Sequence, residues 1–220
     1  MRENYYDMNK ADRAAVRRAI ALRAYQEIPA VTDGKLVVNV GWGIPLGIID
    51  ILAESSRDDV LLQGESCAIG MGRYLGADDD YDMHHVDPAG TPYKPAIGGC
   101  HTKTLADAFA FINSKKLYAT FLGAFQVAAN GDFANWDSGD TGMKAGHGGA
   151  CALANGAKKV IVCMVEHDRD GVSKLVRRCT LPLTGHRCVD LVITDCGVYR
   201  PVGDKFERIQ VYNPETHKYE

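Results

Sequence analysis

The sequence predicts an α/β fold: a mostly parallel sheet flanked by helices. Three observations carry this reading. Residues 35–63 run strand, glycine turn, helix, strand, which is the βαβ unit of a parallel sheet. "KKVIVCMV" (158–165) and "CVDLVITD" (188–195) are short, almost wholly apolar runs, as strands buried on both faces require. Residues 9–28 place Ala15, Val16, Ala19, Ile20 and Ala24 at helical spacing with arginines between them.

Each element follows in order. After the first helix, Asp33-Gly34 marks a turn. Residues 35–40, "KLVVNV", form a strand that runs into "GWGIP". "LGIIDILAES" is helical, with Pro45 at its first position, where a missing N–H costs nothing. "DVLLQ" is the second strand and ends at Glu65. Residues 76–95 are rich in Asp, Gly and Pro and read as a long surface loop. "TLADAFAFINS" is a helix, and "LYATFLGAFQV" a strand bulged at Gly123. "ANGDFANWDSGDTG" is turn-rich, and "GHGGACALANGA" is rich in small residues that let a backbone approach closely. "FERIQVY" alternates as a late edge strand does. No repeat or linker interrupts the pattern, so residues 1–220 are expected to form one domain.

Composition narrows the function. A net charge of −3 gives no case for nucleic acid or an anionic membrane surface. No apolar run approaches the roughly 18 residues of a membrane span, and the N-terminus shows no signal-peptide core. Seven cysteines without C-x-x-C spacing fit reduced, buried thiols and a cytoplasmic location. Cys100-His101, His84-His85 and Cys163 with His167 lack metal-ligand spacing, so no metal is expected.

Glu65, Ser66 and Cys67 offer three nucleophiles in a row, just past a strand end, where open α/β sheets bind ligands. Gly64-Glu65-Ser66-Cys67-Ala68 falls one glycine short of a serine-hydrolase elbow. Nothing specifies a partner base for Cys67. Gly41-Trp42-Gly43 is half of a dinucleotide fingerprint, without its third glycine. Gly146-His147-Gly148-Gly149-Ala150 could aim backbone N–H groups at an oxyanion, or serve only a turn.

These segments together resemble the β subunit of the family I coenzyme A transferases, the short-chain acyl-CoA:acetate and 3-oxoacid enzymes. "NVGWGIP" and "LLQGESCAIGMG" are similar to the family's G-x-G-x-P and S-E-N-G signatures. "FLGAFQVAANGDFANW", "GHGGACALANGAKKVIV" and "CTLPLTGHRCVDLVITD" resemble three further family stretches in the same order. The resemblance implies the coenzyme A transferase (NagB/RpiA-like) fold. It implies Glu65 as the catalytic carboxylate, and Gly149 and Ala150 as backbone oxyanion donors. Gly41, Trp42, Gly43, Ser66 and Cys67 would line the substrate site. It further implies a ping-pong exchange of CoA between a short-chain or 3-oxoacyl-CoA and a carboxylic acid, through a glutamyl–CoA thioester. No permanent cofactor is implied; coenzyme A is substrate and covalent intermediate. The partner implied is an α subunit, in an α2β2 or larger assembly.

Ser66-Cys67 replace the family's Asn-Gly, Arg73 a proline, Ala152 an aspartate, and Trp42 a smaller residue. The Glu-Ser pair is similar to the glutaconate CoA-transferases and the ring-opening acyl-CoA hydrolases. An acyl-CoA hydrolase or decarboxylase with Glu65 as base is therefore an alternative, and a non-catalytic supporting subunit is another.

Overall fold

The computed structural model describes residues 4–55, 57–65, 67–76, 79–80, 82–87, 91–139, 146 and 148–220. Helix α1 (Lys10–Tyr25) starts at Asn9, whose side chain accepts the Asp12 N–H at 3.0 Å. Val16, Ala19, Ile20 and Ala24 form its buried face. Strand β1 (Leu36–Val40) leads through a 3₁₀ turn at Ile44–Leu46, which contains Pro45, into α2 (Gly47–Glu54). Strand β2 (Val60–Gln63) returns parallel to β1 with Val38 opposite Leu62. The βαβ unit read from the sequence is present.

The chain then departs from expectation. Strands β3 (Ala68–Tyr74) and β4 (Tyr93–His101) extend the sheet in antiparallel pairing beside β2. The residues read as a loop from 76 to 95 therefore end in strand, because β4 begins at Tyr93. Glycines hide the alternation in both strands, and their register shifts twice. Helix α3 (Leu105–Asn113) opens with a capping box between Thr104 and Asp107.

Strand β5 (Leu117–Leu122) ends before Gly123. Gly123 is thus where the chain leaves the main sheet, and no bulge forms there. Strands β6 (Gln126–Ala128) and β7 (Phe133–Ala134) belong to a second, three-stranded sheet. Helix α4 (Ala150–Gly156) occupies the small-residue segment. Strand β8 (Lys159–Met164) rejoins the main sheet, β9 (Leu175–Val176) completes the small one, and β10 (Leu191–Thr194) pairs parallel to β8. Strands β11 (Gly197–Val202), β12 (Lys205–Asn213) and β13 (Lys218–Tyr219) close the far side in antiparallel pairing. "FERIQVY" lies in β12, one strand in from the edge, because the two residues of β13 cover it.

The main sheet runs β13-β12-β11-β10-β8-β5-β1-β2-β3-β4. Its centre, β10 to β2, is parallel, and both flanks are antiparallel. Helices cover both faces, so the central strands are apolar on both sides. Along β8, Ile161 and Cys163 join the core beneath α1 and α2. Val160, Val162 and Met164 join the core beneath α3 and α4. Each fully buried aliphatic side chain contributes roughly 1.5–3 kcal/mol.

Candidate active site

From β1 the chain crosses to β2 on one side, whereas β5 leads towards β8 on the other. A crevice opens where these connections diverge, at the carboxyl ends of the strands. The Gly41 N–H donates to the Phe121 carbonyl at 2.7 Å and holds the loop after β1 against the end of β5. A Cβ at Gly41 would lie 3.0 Å from that same carbonyl oxygen, tighter than side chains ordinarily pack, so glycine suits this approach. Trp42, on this loop, is largely exposed.

Glu65 stands two residues beyond β2, on the tight link to β3. The Gly64 N–H donates to the Ala68 carbonyl at 2.8 Å and closes this link. Beneath it lies a buried polar ladder. The Thr120 hydroxyl on β5 donates to Asn39 Oδ1 on β1 at 3.1 Å. Asn39 Nδ2 donates to the Gln63 backbone carbonyl at 3.0 Å and to its Oε1 at 3.2 Å. Gln63 Nε2 donates to the Gly64 carbonyl at 2.7 Å. All three side chains are buried, and each polar group has its partner. The ladder ties β5, β1 and β2 to the residue before Glu65.

Among the described residues, the Glu65 carboxylate accepts a hydrogen bond from the Gly149 backbone N–H, to Oε2 at 2.8 Å. Gly149 is the N-cap of α4, and N–H groups of a first helical turn have no intrahelical acceptor. Burial raises the Glu65 carboxyl above its ordinary value, and the Gly149 N–H partly offsets that rise. The carboxylate is therefore poorly solvated, which makes it a better nucleophile or base than a surface glutamate.

Glu65 opens into a cavity of about 770 Å³, of the size that holds a small organic ligand. Gly41, Trp42, Gly43, Gly149 and Ala150 line it with Glu65. Segments far apart in sequence thus meet at one site.

The coenzyme A transferase family model matches residues 23–216. The chain belongs to the coenzyme A transferase family. A Bacillus subtilis relative, the beta chain of a probable coenzyme A transferase, is 38% identical over 203 residues, covering 92% of this chain and 89% of the relative. The B-type subunit of the Helicobacter pylori (strain J99) succinyl-CoA:3-ketoacid coenzyme A transferase is 34% identical over 197 residues, covering 89% and 90%. Both relatives are named as one subunit of a coenzyme A transferase, and this chain matches each of them over most of its length. The solved acyl-CoA transferase YdiF of Escherichia coli O157:H7 shares the fold, with a TM-score of 0.66 at 20% identity. That alignment covers 89% of this chain and 38% of the longer YdiF chain.

Within this transferase chain, Cys67 does not line the cavity. Its backbone is left-handed, at φ +79°. That is the position at which the sequence resemblance puts glycine in other members. Ser66 and His147 lie outside the described residues. Cys163, which the sequence pairs with His167, is fully buried in the core. His167 instead shares a cluster with Glu166 and Cys196, whose ligand-capable atoms lie within 4.8 Å of one another. The Thr194 hydroxyl donates to the Glu166 carboxylate there at 2.8 Å. Among the described residues, no helix is long and apolar enough to cross a membrane.

The sequence reading missed Lys174, Asn135, Gln63 and Tyr74, which also line the cavity. Tyr74 donates to Asp87 Oδ2 at 3.0 Å and ties the end of β3 to the segment after it. Gln63 carried a signal, as a polar residue ending an apolar strand. Lys174 carried none, because it reaches the cavity only through the small sheet.

Proposed function

We propose that this chain is the catalytic β-type component of a transferase that moves CoA between a short-chain acyl-CoA or 3-oxoacyl-CoA and a carboxylic acid. One observation carries the reading: a desolvated Glu65 carboxylate, hydrogen-bonded by the Gly149 N–H, faces a ligand-sized cavity.

Glu65 attacks the acyl-CoA carbonyl and expels CoA thiolate, leaving a mixed anhydride. The thiolate attacks the glutamyl carbon and expels the first acid as its carboxylate. A glutamyl–CoA thioester remains, and the second acid reverses both steps. Every bond broken is replaced by one of the same class, so each half-reaction is near balance. The Gly149 N–H already meets the glutamyl oxygen on which negative charge develops when the thiolate adds. The Ala150 N–H is its neighbour in the first turn of α4. Donors of this kind contribute roughly 3 kcal/mol each to such a transition state.

The companion is an α subunit, as the B and beta names of the relatives imply, in an α2β2 or larger cytoplasmic complex. Coenzyme A enters as substrate, and no bound cofactor is needed. Intact-mass spectrometry of the complex incubated with acetoacetyl-CoA and no acceptor acid tests this reading. A CoA-sized adduct mapped to Glu65 is expected. An acyl-sized adduct on Ser66 or Cys67 would overturn it, and turnover without any acceptor acid would favour a hydrolase or decarboxylase.

A further inference from the structure

A second cluster of reactive side chains stands at the strand ends, apart from Glu65. Strands β8 and β10 run side by side and parallel, with Thr194 opposite Met164. Two residues further along each chain bring Cys196 level with Glu166. Glu166, its neighbour His167 and Cys196 are all half-buried, and their carboxylate oxygen, ring nitrogen and sulfur lie within 4.8 Å of one another. The backbone around them is tied down. The Glu166 N–H donates to Asp195 Oδ1 at 2.7 Å, and the Glu166 carbonyl accepts from the Lys174 N–H at 2.7 Å. His167 and Ser173 form an antiparallel bridge. The Thr194 hydroxyl accepts the N–H groups of Cys196 at 3.0 Å and Gly197 at 3.1 Å, and it donates to Glu166 Oε2 at 2.8 Å. One hydroxyl thus fixes both the turn that carries Cys196 and the carboxylate that faces it.

We propose that Glu166, His167 and Cys196 bind a zinc ion that clamps the exit of β8 to the turn between β10 and β11. The donor set selects the metal. One oxygen, one imidazole nitrogen and one thiolate suit zinc, whereas calcium and magnesium take oxygen ligands. A tetrahedral zinc ion with bonds of about 2.0–2.3 Å spaces its ligands roughly 3.5 Å apart, so side-chain movements of about 1 Å bring the three on to one ion. Water takes the fourth position. The Cys196 thiol loses its proton to solvent as it binds, because the thiolate is the ligand. The Thr194 hydroxyl on the Glu166 carboxylate supplies the outer hydrogen bond that orients a ligating carboxylate. Local spacing hides such a site, since Cys196 reaches the other two only through the pairing of β8 and β10. None of the three lines the Glu65 cavity, although Val165, the residue before Glu166, does. The ion therefore holds the strand ends behind the cavity wall and takes no part in the exchange chemistry, and the inference stands apart from the transferase reading.

The test uses the complex of this chain with its partner subunit, stripped with a chelator and titrated with Zn2+ or with Co2+ as its coloured substitute. One ion per copy of this chain is expected, and Tm should rise by a few degrees when the ion is in excess. The Co2+ form should show a thiolate-to-metal charge-transfer band. Cys196→Ser is expected to abolish that band, and both Cys196→Ser and His167→Ala should weaken binding by at least about 100-fold, more than the roughly 10- to 100-fold cost of losing an outer-shell partner. No saturable binding by the wild-type complex would overturn the proposal. So would a Cys196→Ser variant that keeps the band, which would place the ion on another cysteine. Should the variants fail to assemble, alkylation of the wild-type complex decides. Zn2+ should slow alkylation of Cys196 at least about tenfold by peptide mapping, while the exposed Cys100 reacts at an unchanged rate. Cys196 reacting equally fast with and without Zn2+ would sink the idea.

Discussion

The Gly149 N–H and the Glu65 carboxylate fit each other so closely that no side chain can stand between them. The hydrogen bond is 2.8 Å, and a Cβ built on Gly149 would lie 2.5 Å from Oε2 and 2.6 Å from Cδ of Glu65. Gly149→Ala must therefore push the carboxylate away from its donor. Activity should fall roughly 100- to 1,000-fold, the usual cost of an oxyanion donor, while circular dichroism stays unchanged. A variant with near wild-type kcat would show that Glu65 does not need this contact.

The raised Glu65 carboxyl has two consequences with opposite signs for activity and stability. As nucleophile it must be ionised, so kcat/KM should fall as pH drops through a value above the ordinary 4.5 of a glutamate. For stability, a folded-state value above the unfolded one means that the folded protein holds the proton more tightly. Stability from this group is present below the unfolded value and lost as pH rises through the folded one. Glu65→Gln should therefore abolish exchange yet raise Tm at neutral pH, with the gain vanishing in acid. Gln keeps an acceptor for Gly149, so loss of that hydrogen bond does not confound the comparison. Thermal melts at pH 4 and pH 7 check it; a lower Tm at neutral pH would contradict the burial cost.

The sequence exposed the parts of the fold in which pattern and position agree. Strands β1, β2, β8 and β10 are apolar because helices cover both their faces. Helix α1 shows its period because one face meets solvent. Strands β3 and β4 stayed hidden, since Gly70, Gly72, Gly98 and Gly99 erase the alternation that marks a strand. Helix α4 was missed because a run of Gly and Ala has no apolar stripe. At the site, Glu65, Gly149 and Ala150 were legible through their local motifs. Lys174 was not, because its place depends on how β6 and β9 pair, and local spacing says nothing about that.

Cys67 holds φ +79°, a conformation that costs a residue with a Cβ about 1–2 kcal/mol. Its neighbours fix it there: the Thr102 N–H donates to the Cys67 carbonyl at 2.9 Å, and Ala68 begins β3. Cys67→Gly should relieve the strain. The added freedom of glycine in the unfolded chain takes back part of the gain. A net stabilisation of about 0.5–1 kcal/mol is expected from urea unfolding. Exchange activity should survive, because Cys67 lies off the cavity. A large loss of activity in this variant would make Cys67 a candidate nucleophile again.

Thr120 lies in the core at the far end of the ladder that runs through Asn39 and Gln63 to the Gly64 carbonyl. Thr120→Val preserves shape and removes one donor, leaving Asn39 Oδ1 without its hydroxyl partner. An unsatisfied buried acceptor costs about 1–3 kcal/mol, so the urea midpoint should fall with the slope unchanged. The ladder also sets the backbone from which Glu65 projects. A small displacement there should lower kcat roughly 3- to 10-fold with little change in KM, because it disturbs alignment more than binding. Stability and kcat falling together would assign the ladder a positioning role. A loss of stability with kcat intact would reduce it to a structural support of β1 and β2.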